Sequence, residues 1–139
     1  MAARFDLIEH TADIGIIAYG KDLKDTFANA AFALFSLISE PSQVKPAIRQ
    51  LITLTASDQE ALLVRWLNEL IFYFETERLL FARFDIAVLT ASNLQAECWG
   101  ERIEPSHHTL KKGVKAATYH LLNIDRADQG YRAQVIFDI

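Results

Sequence analysis

Ile8-Glu9-His10-Thr11-Ala12-Asp13-Ile14-Gly15 is a short polar interruption between two apolar runs that alternate with period two. Before it, Arg4 to Glu9 puts Phe5 and Leu7 on one face. After it, Ile14 to Tyr19 does the same with Ile14, Ile16 and Ala18, and this alternation predicts a strand on each side. Glu9, His10, Thr11 and Asp13 crowd four polar or ionisable side chains beside the core, a costly placement for groups that have no task. Working outward, Gly20 closes the second strand and Asp22 stands where an N-cap belongs, its carboxylate able to accept from the free amides of a first helical turn. Leu23, Phe27, Ala30, Ala31, Leu34, Leu37 and Ile38 then recur at helical spacing, with Lys21, Lys24, Asp25 and Asn29 opposite. That pattern predicts a one-sided surface helix ending before Pro41.

Beyond Pro41-Ser42, Ile48 to Ala56 alternates like a strand. Ser57-Asp58-Gln59-Glu60 has the form of a capping box, with Ser57 as the cap. The helix it opens runs to about Thr76. Its apolar positions, Leu62, Leu63, Trp66, Leu67, Leu70, Ile71, Phe72 and Phe74, exceed one face and predict a helix packed on two sides at the centre of the core. Phe84 to Val88 and Leu94 to Trp99 read as a hairpin turning at Thr90 to Asn93. Ile103 to Lys112 reads as a polar surface loop. Val114 to Asp125 and Tyr131 to Asp138 read as two final strands. The order of two strands, helix, strand, helix and four strands predicts an α+β fold. We expect one domain spanning residues 1–139, two-layered, with two main helices on a largely antiparallel or mixed β-sheet.

Composition narrows the function. The 139 residues are 51% hydrophobic and 23% charged, with nine Phe, which suits one folded domain with a real core. No apolar run is long enough to span a bilayer and no basic-then-apolar leader opens the chain, so a cytoplasmic protein is expected. The net charge of −4 is scattered, without the basic stripe that grips phosphate backbones, which argues against strong direct nucleic-acid binding. The one cysteine, Cys98, has no partner for a disulfide or a thiolate zinc site and reads as a small buried residue.

The common nucleophile, phosphate-loop, zinc-helix and dinucleotide motifs are absent. Carboxylates and histidines remain. Asp13 sits between two strands, and Asp138 stands beside the carboxylate of Ile139 after the strand-like Val135-Ile136-Phe137. Three carboxylates brought together would repel unless a hard cation held them, and all-oxygen ligation suits calcium, magnesium or manganese; a strand-end aspartate is also a common turn former. His107 and His108 read as exposed loop residues and His120 as a structural histidine, while His10 stays open between proton shuttle and structural group.

Four segments together resemble one family. Glu9-His10-Thr11-Ala12-Asp13-Ile14-Gly15 with Ala18-Tyr19-Gly20, the helical Ala61 to Leu70, Val114-Lys115-Ala116-Ala117-Thr118-Tyr119-His120 and the ending Val135 to Ile139 are similar to archease, in order and over nearly the whole chain. The resemblance implies a helper of RtcB-type RNA ligases in tRNA splicing and RNA repair, one that promotes guanylylation of the ligase, restores its turnover and widens its choice of nucleotide. It also implies a divalent metal, calcium foremost, with magnesium or manganese as alternatives. Asp13, Asp138 and Ile139, the last through its terminal carboxylate, would be the ligands. Lys115, with His10 and Glu9, would serve activation of the partner. Thr109 and Gly113 depart from the acidic residues expected before Lys115. Two other classes compete with a non-enzymatic activator: a metal-dependent phosphodiesterase or nuclease using the same carboxylates, and a chaperone-like interaction module.

Overall fold

The alternating runs become strands and the two heptad-like stretches become helices in the computed structural model, which describes residues 4–9 and 13–139. In chain order the elements are β1 (Phe5–Glu9), β2 (Asp13–Gly20), α1 (Leu23–Ile38), a 3-10 turn at Pro41–Gln43, β3 (Ile48–Thr55), α2 (Gln59–Glu77), β4 (Leu79–Leu89), β5 (Asn93–Arg102), β6 (Ala116–Ala117), β7 (Asn123–Ala127) and β8 (Gly130–Asp138). The expected α+β arrangement of two helices on antiparallel strands is present, with every strand pair among the described residues antiparallel.

The strands divide into two sheets. One runs β1-β2-β8, with β6 and β7 sharing the far edge of β8; the other runs β3-β5-β4. Helix α1 packs on β2 and β8 of the first sheet and on β4 of the second, and α2 touches β6 as well as β3, β4 and β5. Each sheet therefore buries one face against helices. The centre is aromatic: Phe35 of α1 meets Phe81 edge-on at 5.7 Å between ring centroids, and Trp66 of α2 meets Phe84 at 6.2 Å. The Trp66 indole N–H donates to the Phe27 carbonyl at 3.0 Å, so even its polar atom is satisfied in the core.

The helices exchange the roles their patterns suggested. In α1, ten of 16 residues are buried, against seven of 19 in α2, so α1 is the central helix. Its run of small alanines lets backbone and sheet approach closely, which an amphipathic count of large side chains underrates. Asn29, expected in solvent, is buried; its Nδ2 donates to the Tyr19 carbonyl at 2.6 Å and its Oδ1 accepts from Arg4 Nε at 3.1 Å. At the exposed C-terminal end of α2, Phe72 is 54% accessible. Asp22 caps α1 as expected, but the cap of α2 is Asp58, not Ser57: its carboxylate accepts from Ala61 N at 2.8 Å. Aspartate offers a charged acceptor one residue later, and the start of the helix shifts with it.

In the last third, β4 is longer than expected and starts at Leu79, directly after α2. The strand expected over Val114 to Asp125 is split into β6 and β7 by an excursion at 118–122. Gly130, at the turn into β8, has φ +152°, and a Cβ there would strike the Gly20 backbone, so only glycine fits. Among the described residues, no helix is long and apolar enough to cross a membrane.

Candidate metal centre at the end of the larger sheet

The β2–β8 register sets Asp13 directly opposite Asp138. Ile14 and Phe137, one step inward, are fully buried, so the register of the whole strand pair is fixed by the core and the two aspartates have no freedom to slip apart. Directly opposed residues hold their Cβ atoms about 5 Å apart. Asp13 Oδ1 is buried and accepts no hydrogen bond, the one such side-chain atom among the described residues. A buried carboxylate oxygen without a donor, facing a second carboxylate, is costly twice over, through desolvation and through repulsion. A hard cation would remove both costs, and the two facing carboxylates are oxygen ligands of the kind calcium, magnesium and manganese take; Ile139 follows Asp138 with its side chain packed against the core.

The other side of β8 brings in Lys115. Its backbone N–H donates to the Asp138 carbonyl at 2.8 Å, and Ala116 pairs with Asp138 in the ladder. A second anchor comes from α2: Asn68 Nδ2 donates to the Ala117 carbonyl at 3.2 Å while Asn68 Oδ1 accepts from Ala117 N at 2.8 Å. One side-chain amide thus serves both backbone groups of Ala117, as a neighbouring strand would, and fixes the short β6 that holds Lys115 beside Asp138. The Lys115 side chain is left exposed. Glu9 is exposed at the end of β1, opposite Ile14, at the same end of the sheet as Asp13 but on the Ile14 side of it. His10 lies outside the described residues, as do Thr11 and Ala12.

Against this geometry the comparisons with known proteins can be set. The model of the Archease protein family matches residues 5–139. The chain belongs to the archease family. Relatives called Protein archease include one from Sulfurisphaera tokodaii, 36% identical over 137 residues and covering 98% of this chain and 99% of that one. Another, from Saccharolobus islandicus, is 40% identical over 136 residues, covering 97% and 98%. The solution structure of Methanobacterium thermoautotrophicum protein 1598 superposes with a TM-score of 0.86 at 35% identity, covering 98% of this chain and 99% of that chain. The archease fold and family expected from the motifs are thus shown.

A second group of ligand-type side chains, outside the archease motifs, gathers at Glu101, His107 and His108. His108 is buried, contrary to its expected place in solvent, and is locked: Nδ1 accepts from Glu104 N at 2.9 Å and Nε2 lies 2.7 Å from Glu101 Oε1. An Nδ1 that accepts a backbone N–H leaves the ring proton on Nε2, which donates to the carboxylate. A metal at Nε2 would require that proton to move to Nδ1, where it would face another donor. The usual arrangement, in which a ligating histidine donates from its other nitrogen, is therefore unavailable, and the cluster is a loop clasp. Glu101 is held below the usual carboxylate range, first by the Lys45 backbone N–H and then by His108. Cys98 is buried as expected, and burial pushes its thiol well above the usual range, so it is inert.

Sequence patterns missed Asn68 and His108. Asn68 acts on the backbone of a residue 49 positions along the chain, and its only sequence trace is a polar residue inside an apolar helix stripe; His108 acts within its own loop, on the Glu104 amide and the Glu101 carboxylate, through a turn that no residue pattern announces.

Proposed function

We propose that this chain is a non-enzymatic activator of an RtcB-type RNA ligase in the cytoplasm, promoting guanylylation of the ligase and so restoring its turnover in tRNA splicing and RNA repair. The observation that carries the reading is the donor-less buried oxygen of Asp13 opposite Asp138, in a chain of the archease family. Asp13, Asp138 and the terminal carboxylate of Ile139 would hold a divalent cation, calcium foremost, with magnesium or manganese as alternatives. Bound there, it supplies positive charge that lets three carboxylates share one corner.

The chain's own residues then have separable tasks. Asp13 and Asp138 present an acidic, register-locked tip that complements a cationic, phosphate-handling active site, and such complementarity speeds encounter and fixes orientation. Lys115, exposed beside the tip, meets a phosphate or an acidic group of the partner. Glu9 stands at the same end of the sheet, and it and His10 serve activation with Lys115. The scattered net charge of −4 leaves RNA binding to the ligase.

The test is a multiple-turnover ligation assay with GTP and manganese, with and without substoichiometric protein, together with label transfer from GTP to the ligase. Raised guanylylation and turnover, with no RNA cleavage by the isolated protein, are expected. No stimulation would remove the proposal. RNA cleavage that disappears in Asp13→Ala would establish the phosphodiesterase reading instead.

A further inference from the structure

Strands β6 and β7 run along the same edge of β8, and the chain between them leaves the ladder. Ala117 still pairs with Phe137 and Asn123 already pairs with Gln134, so five residues, 118–122, stand opposite two. This is an enlarged bulge in one edge strand, a device that re-aims side chains beside functional sites. What it aims outward is largely apolar: Tyr119 is 62% and Leu121 60% exposed, and His120, expected as a structural histidine, is exposed between them. Leu121 also has φ +52°, the left-handed region, where a branched side chain is rare and glycine or asparagine is the usual occupant.

The loop is held in this shape. Thr118 N and Oγ1 both donate to the Ile136 carbonyl, at 3.0 and 2.8 Å. Leu122 N donates to the Tyr119 carbonyl at 3.2 Å, and Gln134 Nε2 to the Leu121 carbonyl at 2.9 Å. Blunting a sheet edge against aggregation requires only a bulge with polar side chains. A leucine under backbone strain and a tyrosine, both in water, are not explained that way; strain of this kind persists where the surface is used.

We propose that Tyr119 and Leu121 form a preorganised apolar anchor by which the chain docks on the ligase. The occupant would be an apolar socket beside the cationic site that receives Asp13 and Asp138. The inference rests on the proposed function. Position commits it to that partner: Ile136, which holds the loop, is two residues from Asp138, about 7 Å along the strand. Any body that meets the carboxylate corner therefore meets the loop. An apolar knob at the centre of a polar, charged rim is also the usual anatomy of an interface hot spot.

The experiment compares the wild type with Leu121→Gly and Tyr119→Ala for melting temperature, for the shift of melting temperature by calcium, and for affinity to the purified ligase. Glycine relieves the strain, so Leu121→Gly should melt at or above the wild type and keep the calcium shift, while its affinity for the ligase falls at least about tenfold. Tyr119→Ala should show the same loss with the calcium shift intact. Unchanged affinity in both variants, with the wild type still activating the ligase, overturns the anchor and leaves the proposed function standing. A wild type that neither binds nor activates the ligase overturns both. Light scattering that shows a wild-type dimer dissociated by Leu121→Gly, with ligase affinity unchanged, would assign the surface to a second copy and overturn the docking proposal.

Discussion

Replacing Asp13 by asparagine should stabilise the metal-free protein and at the same time remove its response to calcium. The two carboxylates face each other across β2 and β8, with charge centres about 6 Å apart, and at an effective dielectric of about 20 two unit charges at that distance repel by about 3 kcal/mol. Asp138 is exposed, and solvent screening reduces this to about 1 kcal/mol. Asparagine abolishes the repulsion and offers Asp138 an N–H donor. For a chain of 139 residues, this corresponds to a rise in melting temperature of about 4 °C in EDTA. In calcium at a hundred times its dissociation constant, the wild type gains about 2.7 kcal/mol by mass action, or about 10 °C, and the variant gains little. The order of the two proteins should invert between EDTA and calcium when unfolding is followed by circular dichroism. If Asp13→Asn melts below the wild type in EDTA, the carboxylates do not repel; if it gains as much from calcium, Asp13 is not a ligand.

Other outcomes follow from the same geometry. A C-terminal tag, which turns the carboxylate of Ile139 into an amide, or Asp138→Asn, should leave the circular dichroism spectrum unchanged, weaken calcium binding in calorimetry and nearly abolish ligase activation; an N-terminal tag should be harmless, and equal calcium binding by tagged and untagged protein would remove that carboxylate from the site. Asn68→Ala leaves both backbone groups of Ala117 without their partner and should cost about 2 kcal/mol in urea unfolding; a cost near zero would show that β6 is held without it. Glu101 has its carboxyl lowered from 4.5 by the Lys45 N–H and His108. A lowered carboxyl stabilises the fold above its ordinary value and loses that contribution as pH falls through the folded-state value, so the urea midpoint of the wild type should fall relative to Glu101→Gln only below pH 4.5. Parallel midpoints throughout acid pH would refute the clasp at Glu101.

Much of this was legible from residues alone, where one physical cause dominates. Alternation in Ile14 to Tyr19 and Tyr131 to Asp138 located the two strands that make the site, because burying one face of a strand leaves no other spacing. Asp22 announced its helix because a carboxylate at a helix start has few competing uses. The errors arose where two causes compete. Ser57 and Asp58 are both good caps, and sequence cannot say which amide each will reach. The breadth of the apolar stripe in α2 suggested the central helix, yet α1 took that place through small residues that a count of large side chains ignores. Val114 to Asp125 reads as one strand because periodicity is blind to a bulge, and His108 reads as exposed because a polar loop gives no sign of the turn that folds it back on Glu101 and the Glu104 amide. The carboxylate pair itself could be suspected from sequence but not constructed: that Asp13 faces Asp138 depends on the register of strands drawn from opposite ends of the chain.

That last pairing has a consequence for how the molecule assembles. Strand β8, the final one in the sequence, lies between β2 and the β6/β7 edge, so the larger sheet cannot be completed from local contacts. Closing so long a loop before its contacts can form is entropically slow, and folding should proceed on the timescale of nonlocal β topologies although α1 and α2 can form early. The carboxylate corner comes into being only when this closure is done. A cation gathered there would thus bind the finished sheet and leave the search for it unaided: it would retard unfolding far more than it hastens folding, fastening the two ends of the chain after they have met.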